Sequence, residues 1–279
     1  MTVAIVTDSA AAIPPSLVAE CGITVVPMWL VSDGEAVREG ERTLGELLGD
    51  ARITTSAPTP GEFEDAIRAA LARGASDVLV LTIASAMSAS HDAAAVAVRD
   101  VGRHARVVDT MTAAGAQALV VLAAARAAGT GRSLDEVARV ATDVAARVRL
   151  VATVPDLEHL VRSGRVPGIA GWAGRTLGLS PLFEFRTGKV HRLRPARGVD
   201  AAYDRLVARF RREAVPGRRA HVVALHALAP EAAQALLDRV RDADAVESFT
   251  SEFGSVMVVH AGPGLVGLAW WWEPVSPDA

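Results

Sequence analysis

The run Val78–Ser90, VLVLTIASAMSAS, decides the fold class. Its first six residues are apolar or β-branched without interruption, as a strand covered on both faces reads. The rest are small or hydroxylated, as a loop reads. The same alternation recurs on either side. Upstream, Val3–Val6 is a short strand ending in Thr7-Asp8-Ser9. Pro14-Pro15 opens a helix to about Glu20, and Ile23–Met28 is the next strand. Asp33-Gly34 signals a turn, and Thr43–Leu48 reads as a short helix. Downstream, His91–Arg99 is helical, and Ala105–Val108 is a strand followed by Asp109-Thr110. A long Ala-rich helix covers Ala113–Ala128. Ser133 and Glu136 form a capping box for a helix to about Arg147, and Leu150–Val154 is a further strand. Strands alternating with helices over this length predict a mostly parallel sheet with helices on both faces, a three-layer α/β/α arrangement. Such sheets bind ligands outside the carboxyl ends of their strands, where Asp8-Ser9, Ser85–Ser90 and Asp109-Thr110 all fall.

Between the early strands and this run lies Ile53–Phe63, ITTSAPTPGEF. Thr59 can cap a helix, Pro60 fits its first position and Glu62 completes a Thr-x-x-Glu capping box. Phe63, Ile67, Ala70 and Leu71 then form an apolar stripe at helical spacing, stopped by Gly74. Thr54-Thr55-Ser56 places three hydroxyls just before the helix start. Hydroxyls and free amides beside a positive helix end suit a small anionic group such as a carboxylate or phosphate. An ordinary capped helix after a polar loop has the same signature.

The texture changes after Pro155. A short helix leads to Arg162-Ser163-Gly164-Arg165, then to a segment carrying Gly168, Gly171, Gly174 and Gly178. Pro181–Arg186 and Lys189–Arg194 flank Thr187-Gly188 and read as a hairpin. A helix over Val199–Ala214, a strand over His221–Leu225 and a helix over Pro230–Arg241 follow. The last apolar runs, Val256–Val259, which reads as a buried strand, and Leu265–Trp272, are joined by His260-Ala261-Gly262-Pro263-Gly264. A hairpin in this context predicts a second α/β domain with a mixed sheet. The expected organisation is an α/β/α domain over 1–155 and an α/β domain over 156–279, with a ligand cleft between them.

The 279 residues suffice for two domains. Hydrophobic content is 51% and mean hydropathy +0.27, yet no apolar run is long enough to span a bilayer and the start of the chain has no leader pattern. The reading is cytoplasmic, with no transmembrane segment. The single cysteine, Cys21, sets aside a disulfide framework and a Cys-based metal site, and no histidine spacing suggests a metal. The formal charge of −3 argues against non-specific nucleic-acid binding.

Gly262-Pro263-Gly264-Leu265-Val266-Gly267 matches G-x-G-x-x-G, but an apolar β-like run follows where a dinucleotide site needs a helix, so a tight turn is expected. Neither a P-loop nor a nucleophile elbow is present. Asp8 stands where aspartyl phosphotransferases carry their nucleophile, but Ala10 replaces their second Asp, and Asp8 reads as the cap of the next loop. His221 and His226 should point to opposite faces of one strand. His260 sits beside the Gly-Pro-Gly turn, and Arg162, Arg165 and Arg197 each adjoin a glycine or turn.

Taken in order, these pieces resemble the DegV family of bacterial fatty-acid-binding proteins. Thr7-Asp8-Ser9-Ala10-Ala11-Ala12-Ile13-Pro14 is similar to that family's T-D-S-T-A-D-[LI]-P, and Thr55-Ser56-Ala57-Pro58 to its T-S-Q-P. Ser85–Ser90 is similar to S-x-x-S-G-T, and Ser163-Gly164-Arg165-Val166 to G-G-R-[IV]. Arg197-Gly198 and His260–Gly264 match R-[GT] and H-x-G-P-G. The resemblance covers essentially the whole chain. It implies a monomeric two-domain carrier of a long-chain fatty acid, not itself catalytic and without a cofactor or metal. The carrier would present the carboxylate to a separate ATP-dependent fatty acid kinase, which makes acyl phosphate for phospholipid synthesis, with room for transient membrane contact. It further implies that Thr55, Ser56, Ser85, Ser88 and His260 bind the carboxylate, and that Arg165 and Arg197 serve the head group or dock the partner. Ala57, Ala89, Ser90 and Ala10 depart from the family pattern. Two other readings stay open: a hydrolase or acyltransferase using Ser88 with His260 as base, and a binder of another amphipathic anion.

Overall fold

The computed structural model describes residues 2–32, 34–41, 53–155, 157–165, 179–214 and 216–274. The expected helix over Thr43–Leu48 and the four glycines from Gly168 to Gly178 lie outside the described residues. Four strands form an all-parallel sheet in the order β2-β1-β6-β7: β1 (Val3–Asp8), β2 (Thr24–Val26), β6 (Asp77–Thr82) and β7 (Ala105–Asp109). A mixed sheet has the order β10-β9-β8-β13-β11-β12. Its strands are β8 (Arg149–Thr153), β9 (Leu179–Arg186), β10 (Lys189–Arg197), β11 (Ala220–His226), β12 (Ala245–Glu252) and β13 (Val266–Trp272). β11 and β12 are parallel, and the other neighbours in this sheet are antiparallel. A small antiparallel sheet joins β3 (Trp29–Ser32) to β4 (Glu35–Arg38) and β5 (Thr54–Ser56).

Alternation along the strands sorts the side chains into three cores. Val6, Val78 and Val80 face outward from the parallel sheet, against Phe63 and Ile67 of α2 (Pro60–Ala72) and Ala94 and Ala97 of α3 (Ser90–Val101). Ile5, Leu79 and Leu81 face the other way, into a central core shared with the mixed sheet's Leu150, Ala152, Phe183, Phe185, Val223 and Leu225. That core is filled by α4 (Ala114–Gly129) and α5 (Leu134–Arg147), which contact strands of both sheets. On the far side of the mixed sheet, Val222, Ala224 and Trp270 pack against α7 (Val199–Arg212) and α8 (Pro230–Asp238).

The middle layer explains the Ala-rich run. A helix between two sheets has no solvent face, so it is apolar all round, and α4 buries thirteen residues from Ala114 to Ala127. Small side chains also let it approach closely. A Cβ added at Gly115 would lie 2.8 Å from Val223 Cγ1. Both capping boxes form, with Thr59 Oγ1 accepting from Glu62 N–H and Ser133 Oγ from Glu136 N–H. The expected hairpin closes through Thr187 (φ 48°) and Gly188 (φ 74°), the positive-φ pair of a primed two-residue turn.

Two expectations need correction. The strand at Leu150–Val154 is expected beside the parallel strands. It is β8, paired antiparallel with both β9 and β13 of the mixed sheet, because α5 carries the chain across to it. Val256–Val259 is not a strand but the centre of helix α9 (Ser255–Ala261). The polar segment Ala245–Glu252, without an assignment from sequence, is the edge strand β12. The Gly-Pro-Gly turn is as expected: Gly262 (φ 76°) ends α9, packed so tightly that a Cβ there would lie 2.6 Å from His159 Cδ2.

Candidate functional site

The carboxyl ends of β1, β6 and β7 all open toward one region. Asp8 closes β1 and is fully buried. Its Oδ2 accepts from Ile83 N–H at 2.9 Å, and its Oδ1 from Gln117 Nε2 at 2.9 Å on the central helix. Asp8 therefore fixes the first residue after β6, where the small-residue loop begins. The next peptide is fixed as well, with Ala84 N–H donating to Thr112 O, and the loop then turns back through Ser88 N–H to Ala84 O. Burial pushes the Asp8 carboxyl up to about 6, against the hydrogen bonds from Gln117 and Ile83 and the nearby Ala10 amide, with the Glu39 charge pushing it the same way as burial.

Beside this loop lies a cavity of ≈ 320 Å³. Ile83, Met87, Ala113 and Ala114 line it from the first half of the chain. Leu150, Ala152, Phe183, Phe185 and Leu225 line it from the inner face of the mixed sheet, and Val256, Met257 and Ala261 from α9. Among the described residues its polar lining is Thr55, Ser56, Ser88, Ser163, Arg165 and His260. A long apolar wall with a few convergent polar groups is the usual build of a site for an amphipathic small molecule.

Thr55 on β5 and His260 on α9 meet directly, Oγ1 to Nε2 at 2.6 Å, although 205 residues separate them. Arg165 follows the short helix α6 (Glu158–Ser163) and is held by its own turn: its N–H donates to Ser163 Oγ at 3.2 Å and its Nη1 to Ser163 O at 2.9 Å. Burial, and then the Arg165 charge, push the His260 imidazole down to about 4, so it is neutral at pH 7. Ser88 Oγ is bonded to Ser90 Oγ at 2.9 Å.

Of the expected site residues, Thr55, Ser56, Ser88, Arg165 and His260 line this cavity. Ser85 does not: it is exposed, and its N–H donates to Asp109 Oδ2. Arg197, at the end of β10, is also exposed and is not among the residues that line the cavity. Thr54-Thr55-Ser56 is a strand, not the loop its hydroxyls suggested. His221 and His226 do lie on opposite faces. His221 stacks on Trp271 and bonds to Glu247, while His226 Nδ1 accepts from Ala229 N–H. Sequence reading missed the cavity's apolar lining. The alternate residues Leu150/Ala152 and Phe183/Phe185 carry that signal, but which face they share needs the sheet order. Among the described residues, no helix is long and apolar enough to cross a membrane, and no group of three or more acidic, His or Cys side chains is placed to hold a metal.

The architecture has known counterparts. A DegV domain-containing protein of Streptomyces coelicolor is 35% identical over 273 residues, covering 95% of this chain and 97% of that one. A solved structure described as fatty acid binding of a DegV family protein from Thermus thermophilus superposes with a TM-score of 0.91 at 29% identity, covering 98% of this chain and all of that one. The structure of DegV, a fatty acid binding protein from Bacillus subtilis, superposes at 0.85 with 26% identity, over 98% of this chain and all of that one. The model of the family described as "Uncharacterised protein, DegV family" matches residues 2–273. With that model matched over residues 2–273 and a relative 35% identical over 95% of its length, the chain belongs to the DegV family.

Proposed function

We propose that this protein is a non-catalytic carrier that holds a long-chain fatty acid in the central cavity and presents its carboxylate to an ATP-dependent fatty acid kinase. The observation that carries the reading is the cavity itself: an apolar space between two sheets, with the Thr55–His260 pair and Arg165 on its polar wall. An acyl chain burying about fourteen methylenes at ~0.8 kcal/mol each gains roughly 11 kcal/mol before ordering costs, so the chain supplies the affinity. The polar end sets orientation, because a carboxylate buried without partners is strongly unfavourable. In the Nε2–H tautomer, His260 donates to Thr55 Oγ1 and frees the threonine proton for the carboxylate. Arg165 supplies the opposite charge.

A serine hydrolase would need Ser88 bonded to His260. Ser88 is bonded to Ser90 instead, and the hydroxyl on His260 belongs to Thr55. That favours a carrier over the enzyme reading.

Mass spectrometry of lipid released from the denatured purified protein tests the carrier directly. Long-chain fatty acid is expected, and protein that stays lipid-free after exposure to a range of fatty acids would sink the reading. Thr55→Val and Ser88→Ala should keep the fold and each lose about 1–3 kcal/mol of palmitate binding, the scale of an unmet buried polar group. Unchanged affinity in both would move the head group elsewhere. For the kinase, exposed Arg197 is the proposed docking contact, since electrostatic complementarity mainly sets encounter rate and orientation. Arg197→Ala should retain palmitate but slow acyl-phosphate formation several-fold at limiting carrier, with the wild-type reaction weakening as salt rises. Equal rates for mutant and wild type would remove Arg197 from the interface.

A further inference from the structure

We infer that Glu39 is a positioning residue that holds Thr55 against His260, an inference that rests on reading this site as a carboxylate-binding one. Glu39 directly follows β4, and its carboxylate joins two parts of the fold. Oε1 accepts from Val256 N–H at 2.8 Å and from Ser255 Oγ at 3.4 Å, in the first turn of α9. Oε2 accepts from Ser9 Oγ, which in turn accepts from Met28 N–H at 3.0 Å. The Glu39 backbone is tied down as well, its N–H donating to Met28 O at 2.9 Å. Gly254 packs against the carboxylate so closely that any side chain at 254 would run into it.

The residue preceding α9 gives no side-chain cap, so Glu39 supplies from another element the acceptor that this helix start lacks. His260 lies near the other end of the same short helix. Thr55 lies on β5, opposite Leu30 of β3, and Leu30 is opposite Val37 of β4, two residues before Glu39. The small sheet and α9 thus make polar contact at two places, Glu39 with Ser255 and Val256, and Thr55 with His260. With both made, the sheet and the helix have little freedom to pivot about either one. With only the second, a single 2.6 Å hydrogen bond is left to fix the register that apolar packing of β3 on α9 does not. The plain alternative is that Glu39 stabilises the fold without setting the site.

The two roles separate in the ligand-free protein. NMR of the His260 ring nitrogens reads the Thr55 contact directly, and palmitate displacement reads affinity. Glu39→Ala is expected to shift the Nε2 signal, to raise the ring's titration midpoint toward the ordinary value of about 6.5, and to weaken palmitate about tenfold or more. Glu39→Gln keeps an acceptor for Val256 N–H and should stay within about threefold of wild type. Glu41→Ala, at an exposed acid in the same turn, should change neither reading. Wild-type ring signals and affinity in Glu39→Ala would overturn the inference, as would a Glu39→Gln protein impaired as badly as Glu39→Ala. If Glu39→Ala does not fold, Glu39→Asp draws the carboxylate back from Val256 N–H by one methylene and carries the same expectation, and an unchanged ring signal there overturns it too. A wild-type protein that takes up no palmitate would defeat the carboxylate reading, while the ring signal alone would still decide whether Glu39 sets the Thr55–His260 contact.

Discussion

Replacing Arg165 with glutamate is expected to weaken palmitate binding about 100-fold, a loss of about 2.7 kcal/mol. Two effects add. Arg165 lines the cavity, and its charge already acts on His260, so a carboxylate bound beside that imidazole feels the same field. Losing one charge-assisted hydrogen bond costs about 1.5–3 kcal/mol, and facing one carboxylate with another adds repulsion that is only partly screened at a cavity mouth. The same substitution turns a positive neighbour of His260 into a negative one, so the imidazole midpoint should rise from about 4. Hexadecanol makes the test specific. It has the same hydrocarbon and no charge, so Arg165→Glu should bind it nearly as wild type does. Equal loss for the acid and the alcohol would mean that the substitution damaged the cavity and not a charge contact. No loss for either would place the head group away from Arg165.

What the sequence made legible, and what it did not, follows from how far each signal reaches along the chain. Both capping boxes, the Thr187-Gly188 turn and the Gly262-Pro263-Gly264 turn are contained within a few residues, and all four have the expected geometry. The Val78–Ile83 run gave the parallel sheet for a local reason as well, since a strand buried on both faces shows no polar alternation. The errors are non-local. Val256–Val259 is four apolar residues, three of them β-branched, which fits a strand or a buried helix equally. It is a helix whose first turn is held by Glu39, more than 200 residues earlier. β12 reads as polar loop because only an edge strand tolerates AVESFTSE, and nothing nearby says that β11 will lie beside it. The Thr55–His260 contact was accessible only as two motifs expected to serve one ligand. That they touch, and that Ser85 turns away, required the fold. Asp8 was read as a loop cap. It stands at the cap position, but its side chain makes no capping bond there; it reaches Ile83 and Gln117 instead, and so fixes the loop that carries Ser88.

Asp8 and His260 are expected to oppose each other in the pH dependence of stability. In the ligand-free protein the His260 imidazole sits at about 4 against 6.5 for an exposed ring. Between those values the unfolded chain binds a proton that the native state refuses. Stability from His260 is therefore complete above pH 6.5 and lost as pH falls to 4, by about 3 kcal/mol. Asp8 sits at about 6 against 3.8. Here the native state holds a proton that the unfolded chain has released, so stability from Asp8 is complete below pH 3.8 and lost as pH rises to 6, again by about 3 kcal/mol. The two windows overlap almost entirely, and in the wild type the terms nearly cancel. Single variants should expose each one. Asp8→Asn removes the compensating gain, so on going from pH 7 to pH 4 its unfolding free energy in urea should fall about 3 kcal/mol further than that of wild type. His260→Gln should fall about 3 kcal/mol less, and the double variant should run parallel to wild type. All other carboxylates are common to the four proteins and drop out of the differences. An Asp8→Asn curve parallel to wild type would mean that this carboxyl titrates alike in both states despite its burial. Palmitate adds a further check: a carboxylate bound beside His260 lifts the imidazole midpoint, so saturation with ligand should shrink the difference between His260→Gln and wild type while leaving that of Asp8→Asn.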